Sequence, residues 1–94
     1  MLDIRFGENG EIVFSGRFDA SQEKKAQAFL DAVKESKVLD FKDLEYISSA
    51  GLGTLLQAQK RLRTSGGGLR LVNANKHIRD IFRFSGFDKI FEIE

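Results

Sequence analysis

Cysteine, proline and tryptophan are absent from this 94-residue chain, and histidine and tyrosine occur once each. Without cysteine there are no disulfides and no thiolate metal centre. A single imidazole, His77, supplies neither a zinc site nor a histidine relay. No apolar run approaches the roughly 18 residues of a membrane span. Met1-Leu2-Asp3-Ile4-Arg5 lacks the apolar stretch of a signal peptide, so the expected location is the cytoplasm. The net charge is only +1, short of the basic excess of a general nucleic-acid binder.

What is present suits a folded domain. Hydrophobic residues make up 41% and charged residues 31%, and there are nine phenylalanines. That balance excludes a disordered chain. At this length the expectation is one domain over residues 1–94, burying roughly 64% of the unfolded chain's surface. Charge is unevenly spread. Residues 1–50 carry 7 Lys/Arg and 10 Asp/Glu, whereas residues 51–94 carry 8 and 4. Such asymmetry steers partners in some proteins and is merely solvated in most.

With no proline, boundaries are read from glycine and polar clusters. Leu2, Ile4 and Phe6 alternate with Asp3 and Arg5, and Ile12, Phe14 and Gly16 alternate again. Gly7-Glu8-Asn9-Gly10 between them predicts a turn, and hence an antiparallel hairpin. Asp19 and Ser21 are candidate helix N-caps. Ala26, Phe29, Leu30 and Val33 then fall on one helical face. Val38, Leu39 and Phe41 read as a buried central strand. Leu52, Leu55, Leu56 and Leu62 form a second helical stripe, interrupted by a Gln59 that the pattern does not explain. Gly66-Gly67-Gly68 ends that helix, and Lys60, Arg61 and Arg63 suit its negative end. Leu69–Val72 is a strand, Ile78, Ile81 and Phe82 mark a third helix ended by Ser85-Gly86, and Ile90–Ile93 is a last strand. The order β-β-α-β-α-β-α-β predicts an α/β fold with a mixed sheet and three main helices on one or both faces.

The most unusual stretch is Asp43-Leu44-Glu45-Tyr46-Ile47-Ser48-Ser49-Ala50-Gly51-Leu52-Gly53. It reads as a loop reaching two serines, followed by a helix with two glycines in its first turn. Glycine inside a helix costs about 1 kcal/mol relative to alanine. Two together suggest the close approach of another backbone. A serine at a helix start faces unpaired amides and the positive end of the dipole. A phosphoryl group there would be tolerated by its own helix and would add about −1.5 to −2 charge to the surface. The same residues also suit a plain N-cap with glycines that ease packing.

Five segments together resemble one family. They are Gly16-Arg17-Phe18-Asp19, the strand Leu39–Ile47, Ser48-Ser49-Ala50-Gly51-Leu52-Gly53, Gly67-Gly68-Leu69-Arg70-Leu71 and Phe84-Ser85-Gly86-Phe87. In order and spacing they resemble the STAS domain, in particular the stand-alone bacterial anti-sigma factor antagonists. The resemblance covers nearly the whole chain. It implies phosphorylation at Ser49 by a serine kinase that is also the anti-sigma factor, with reversal by a PP2C-type phosphatase. The unphosphorylated form would bind the kinase, and a phosphoryl group in that interface would break the complex. The family's usual Asp before the serine is Ser48 here, which makes Ser48 a competing acceptor. The implied contact surface comprises Ser48, Ser49, Ala50, Gly51, Gly53, Thr54 and Gln57, with the first turns of the second helix exposed.

Other constellations give weaker patterns. A hydrolase triad of Ser49, His77 and Asp43 or Asp80 is neither suggested nor forbidden by spacing. Asp40, Asp43 and Glu45 show no metal-cage spacing and read as solvated or capping carboxylates in an acidic loop. Gly66-Gly67-Gly68 lacks the Lys and Ser/Thr of a phosphate-binding loop. The expectation is a switch protein with no enzymatic activity, no cofactor, no metal and no direct nucleic-acid contact. Its oligomeric state is left open. A second reading is a non-switching accessory subunit of a lipid-transport ABC complex.

Overall fold

The hairpin forms where the glycines allow it. Gly10 takes φ +81°, its amide donates to Gly7 O at 3.2 Å, and Gly7 N donates to Glu11 O at 2.7 Å. This joins β1 (Leu2–Phe6) to β2 (Ile12–Phe18), paired antiparallel with Ile4 opposite Phe14. The computed structural model describes residues 1–94. The remaining elements are α1 (Glu23–Asp31), β3 (Lys37–Ile47), α2 (Ser49–Thr64), β4 (Leu69–Val72), α3 (Lys76–Phe84) and β5 (Glu92–Ile93). Short 3₁₀ turns at Ala20–Gln22 and Phe87–Lys89 precede α1 and β5.

The five strands lie in the order β1-β2-β3-β4-β5, and every pair after the first is parallel. Each helix therefore connects neighbouring parallel strands in the same direction. Right-handed crossovers place all three on one face of the sheet. The side chains agree. Ile12, Phe14, Phe18, Leu39, Phe41, Leu44, Ile47, Leu69 and Leu71 are buried and belong to the core that the helices cover. Asp3, Arg5, Ser15, Arg17, Asp43, Tyr46 and Arg70 occupy alternating positions on the opposite, uncovered face. The mixed sheet with three helices is the expected architecture, here with a single helical layer.

Phenylalanines form the backbone of the core. Phe14 lies 5.9 Å from Phe18 and meets Phe41 edge-on at 5.3 Å. Phe41 leads to Phe82 at 6.5 Å, and Phe82 meets Phe91 edge-on at 5.6 Å. Such pairs add about 0.5–1.5 kcal/mol each beyond their area. α1 contributes Ala26 and Leu30, α2 contributes Leu52, Leu55, Ala58 and Leu62, and α3 contributes Ile78 and Phe82.

Several boundaries differ from expectation. Asp43–Ile47 is no loop: β3 runs unbroken through it, so Asp40 and Asp43 lie inside a strand. The register against β2 slips twice, between Val13 and Ser15 and between Gly16 and Arg17, which is how Leu44 and Ile47 both turn inward although they are three residues apart. Asp40 is 8% exposed, and its Oδ1 accepts from Lys42 N (3.0 Å) and Asn73 Nδ2 (3.1 Å), so it is not a solvated carboxylate. Asp19 caps the 3₁₀ turn, not α1, whose N-cap Gln22 makes no side-chain capping bond. β5 is two residues long because the Phe87–Lys89 turn takes up the chain before it. α2 ends in a Schellman motif: Gly66 takes φ +87°, Gly67 N donates to Leu62 O (2.8 Å) and Gly66 N to Arg63 O (3.1 Å).

Candidate functional site

The two serines stand where β3 becomes α2, at the carboxyl end of a parallel strand. In open α/β sheets ligands and partners commonly meet the fold at that end. Ser48 belongs to both elements. Its amide donates to Phe18 O at 2.9 Å, extending the contact with β2, and its carbonyl accepts from Leu52 N at 2.9 Å. Its backbone is extended (φ −89°, ψ 171°) and its Oγ accepts from Gly51 N at 3.1 Å. Ser48 is thus the N-cap, and its hydroxyl oxygen is already engaged with the helix.

Ser49 is the first helical residue, and it is exposed. Helix geometry leaves the amides of the first turn without intrahelical partners, and Ser48 satisfies only one of them. No acidic side chain occupies that turn. The field at Ser49 is therefore the uncompensated positive end of a 16-residue helix.

The glycines act differently from expectation. Gly51 is buried, and a Cβ there would lie 2.9 Å from Ile47 Cγ1 and 3.1 Å from Phe18 Cδ1 and Cγ. Side chains of the strands beneath, not another backbone, require this glycine. A Cβ on Gly53 would meet nothing within 4 Å, so that position opens onto free space. Thr54 is not exposed as anticipated. It is 6% exposed, because its hydroxyl turns back to Ala50 O at 3.0 Å and its side chain packs inward. Of the expected contact residues, Ser49 and Gln57 are exposed, Ser48, Ala50 and Gly53 are partly so, and Gly51 and Thr54 are covered.

The surroundings are held by local polar bonds. Asp19, one residue past the Phe18 carbonyl that anchors Ser48, accepts from Ser21 N at 3.1 Å and from the Ser21 hydroxyl. The Ser21 hydroxyl holds the Asp19 carboxyl below its ordinary value. Asn75 caps α3 by accepting from Ile78 N at 2.9 Å and donates to Leu44 O at 3.2 Å, tying α3 to β3. Arg17 stacks over Tyr46 at 4.5 Å on the uncovered face. The triad residues are not brought together by hydrogen bonds: the Asp80 carboxylate engages Lys76 (3.0 Å) and Arg83 (2.7 Å). No three His, Asp or Glu side chains are grouped to hold a metal ion. No helix is long and apolar enough to cross a membrane.

Two residues have roles that the pattern did not predict. Gln59 is 3% exposed, accepts from Leu69 N at 2.7 Å and donates to Ile90 O at 2.9 Å. Its position on an apolar stripe was the only signal. Arg61 serves the end of α1 as well as its own helix, donating to Val33 O (2.8 Å) and Leu30 O (2.7 Å).

Known proteins resemble this chain in sequence and in fold. The family described as "Mlab, STAS domain" matches residues 5–92. BtrV of Bordetella bronchiseptica, named for anti-sigma factor antagonism, is 41% identical over 71 residues, which are 76% of this chain and 61% of BtrV. The chain thus spans about 61% of the length of that relative. An anti-sigma-factor antagonist (STAS) domain protein of Planctomyces limnophilus superposes with a TM-score of 0.79 at 20% identity, covering 100% of this chain and 90% of the other. SpoIIAA, the Bacillus cell fate determinant, superposes with a TM-score of 0.77 in its unphosphorylated form, at 20% identity over 100% of this chain and 88% of the other. Its phosphorylated form gives 0.71, at 20% identity over 100% and 91%. With the mixed sheet, its helical layer and the Ser-Ser-Ala-Gly-Leu-Gly junction in place, the match over residues 5–92 identifies the chain as a member of the STAS domain family.

Proposed function

We propose that this domain is an anti-sigma factor antagonist that works as a phosphorylation-controlled protein–protein switch in the cytoplasm. It binds an anti-sigma serine kinase when Ser49 is unphosphorylated and releases it when Ser49 carries a phosphoryl group. A PP2C-type phosphatase resets the switch. The domain acts by occupancy of a surface and not by catalysis.

The observation that carries the reading is the exposed Ser49 hydroxyl at the first position of α2, beside a Ser48 whose oxygen is engaged as the cap. The solved pair of SpoIIAA forms, one unphosphorylated and one phosphorylated, supports it by fold. So does the name of BtrV. The electrostatics are consistent. A dianion at a helix N-terminus is stabilised by about 0.3–1 kcal/mol in its own helix, so modification leaves the fold intact. The same dianion buried against a partner brings desolvation and like-charge repulsion of several kcal/mol. The docking surface is Ser49, Ala50, Gly53 and Gln57, with Gly53 leaving room for the partner's chain. Ser48 sets the position of the site.

The test is phosphorylation by the cognate kinase with ATP. Wild type is labelled at one serine and Ser49→Ala is not. Ser49→Asp weakens kinase binding by at least about tenfold, a loss of about 1.4 kcal/mol. Equal labelling of Ser49→Ala removes the site, and unchanged affinity of Ser49→Asp removes the switch. Stable co-purification with an ATPase, indifferent to phosphorylation, selects the accessory-subunit role instead.

A further inference from the structure

β1 is an edge strand, paired on one side only. Hydrogen bonds beyond its two ends, Arg17 N to Met1 O at 2.9 Å and Gly7 N to Glu11 O at 2.7 Å, fix the alternation of its backbone. Asp3 and Arg5 turn their amides and carbonyls toward β2, and Leu2, Ile4 and Phe6 turn theirs outward. At Leu2 the chain covers them itself. The amide donates to Gln22 Oε1 at 3.2 Å, and the carbonyl accepts from Lys25 Nζ. No side chain or loop reaches the outward groups of Ile4 and Phe6.

Edge strands are commonly blunted by a proline, a bulge or a covering loop. β1 has no proline, and its register against β2 is unbroken. Two of the three exposed large apolar side chains, Met1 and Phe6, stand at its ends. Its charges are arranged about its midpoint. Asp3 and Arg5 flank Ile4 on the uncovered face of the sheet, where no helix bars access. They bond each other at 3.0 Å through Arg5 Nη1 and Asp3 Oδ2, which leaves Asp3 Oδ1 and most of the guanidinium donors for a further partner.

This pattern is complementary to itself. When β1 meets a second β1 antiparallel with Ile4 opposite Ile4, each Asp3 stands opposite the other copy's Arg5. Four charges of alternating sign then form a ring, and the two Ile4 residues exchange both of their outward hydrogen bonds. Centring the pair on Asp3 or on Arg5 sets like charges face to face, as does an in-register parallel pairing. Charge and backbone thus select one register.

We propose that β1 is the seat of a homodimer, in which two copies pair their edge strands about Ile4 and join their sheets into one. The contact is isologous, with a two-fold axis at Ile4. A single short strand buries little surface, so the dimer is reversible. The inference does not draw on phosphorylation at Ser49.

The experiment is sedimentation equilibrium of the domain at low salt over a range of concentrations, with amide hydrogen exchange alongside. Wild type rises toward twice the monomer mass, and exchange at Ile4 slows as it does. Asp3→Arg and Arg5→Asp each weaken the dimer by at least about tenfold, because symmetry counts each like-charge contact twice. Both side chains are exposed, so both variants keep the fold. An equimolar mixture of the two variants associates again, since each then meets its opposite. The double variant Asp3→Arg/Arg5→Asp dimerises as wild type does, and carries the test should a single variant fail to fold. A constant monomer mass in wild type overturns the dimer. Unchanged association in both single variants overturns the use of β1, and failure of the mixture to associate overturns the register.

Discussion

Replacing Gln59 with Met keeps the volume and length of the side chain and deletes both of its hydrogen bonds. The packing term is therefore small. What remains is the cost of two groups losing their partner. Leu69 N–H, bonded to Gln59 Oε1 at 2.7 Å in a buried setting, is left without an acceptor, at about 1–3 kcal/mol. Ile90 O retains the 3.3 Å contact from Arg63, so its loss is nearer a net bond of about 0.5–1.5 kcal/mol. The sum, about 2–4 kcal/mol, is a large share of the 5–15 kcal/mol typical of folded domains. At about 4–8 °C per kcal/mol for a domain this size, Tm falls by about 8–32 °C. Urea unfolding measures the free energy, with the slope m checked for constancy. Gln59→Glu sharpens the test. Its carboxylate can accept from Leu69 N but cannot donate to Ile90 O until it is protonated. Burial raises the folded-state pKa above the unfolded value of about 4.3. The penalty therefore grows as pH rises through the unfolded value and shrinks in acid. Gln59→Met within about 0.5 kcal/mol of wild type, the scatter of ordinary surface substitutions, would refute the reasoning.

Gly51→Ala forces a methyl against Ile47 and Phe18, and overpacking of about 1–3 kcal/mol outweighs the gain in helix propensity of about 1 kcal/mol. Gly53→Ala enters open space and raises stability by up to about 1 kcal/mol, yet weakens kinase capture if the partner's chain passes there; calorimetry and pull-down separate the two effects. Arg61→Ala costs about 2 kcal/mol in urea unfolding because it uncovers Leu30 O and Val33 O, and Arg61→Lys recovers less than half because one ammonium cannot span both. Asp80 titrates below its ordinary value of 3.8, chiefly through its hydrogen bond from Lys76, with the charges of Lys76, Arg83 and Arg79 adding to this. A lowered folded-state value means its stabilisation is complete above 3.8 and is lost as pH falls through the folded value. An NMR titration of the carboxyl carbon reads the shift, and Lys76→Ala returns it toward 3.8.

The element order was legible because each helix carries an apolar stripe and each strand an alternation or a short apolar run. Gly66, Gly10 and Gly86 mark turns that need positive φ, and all three take it. The serine junction was legible through resemblance, and its capping geometry followed from residue type. Pattern failed where tertiary context decides. Asp43-Leu44-Glu45-Tyr46-Ile47 reads as polar and loop-like because two register slips break its alternation, yet parallel pairing with β2 keeps it a strand. Thr54 looks like a surface residue until its hydroxyl is seen to satisfy itself on Ala50 O, which lets the methyl side face inward. Gln59 and Arg61 look like interruptions or dipole partners because their acceptors lie about 30 residues away, at 31 for Ile90 and 28 for Val33. No periodicity within a helix can reveal a partner at that distance.

Ser48 is bolted at three points: to β2 through its amide, to the helix through its carbonyl, and to Gly51 through its hydroxyl. The neighbouring hydroxyl therefore projects from a stiff post. Whatever is attached to residue 49 alters outline and local potential, while the post beneath it stays put. A visitor would sense the difference at once, by touch and by field, without waiting for the host to rearrange.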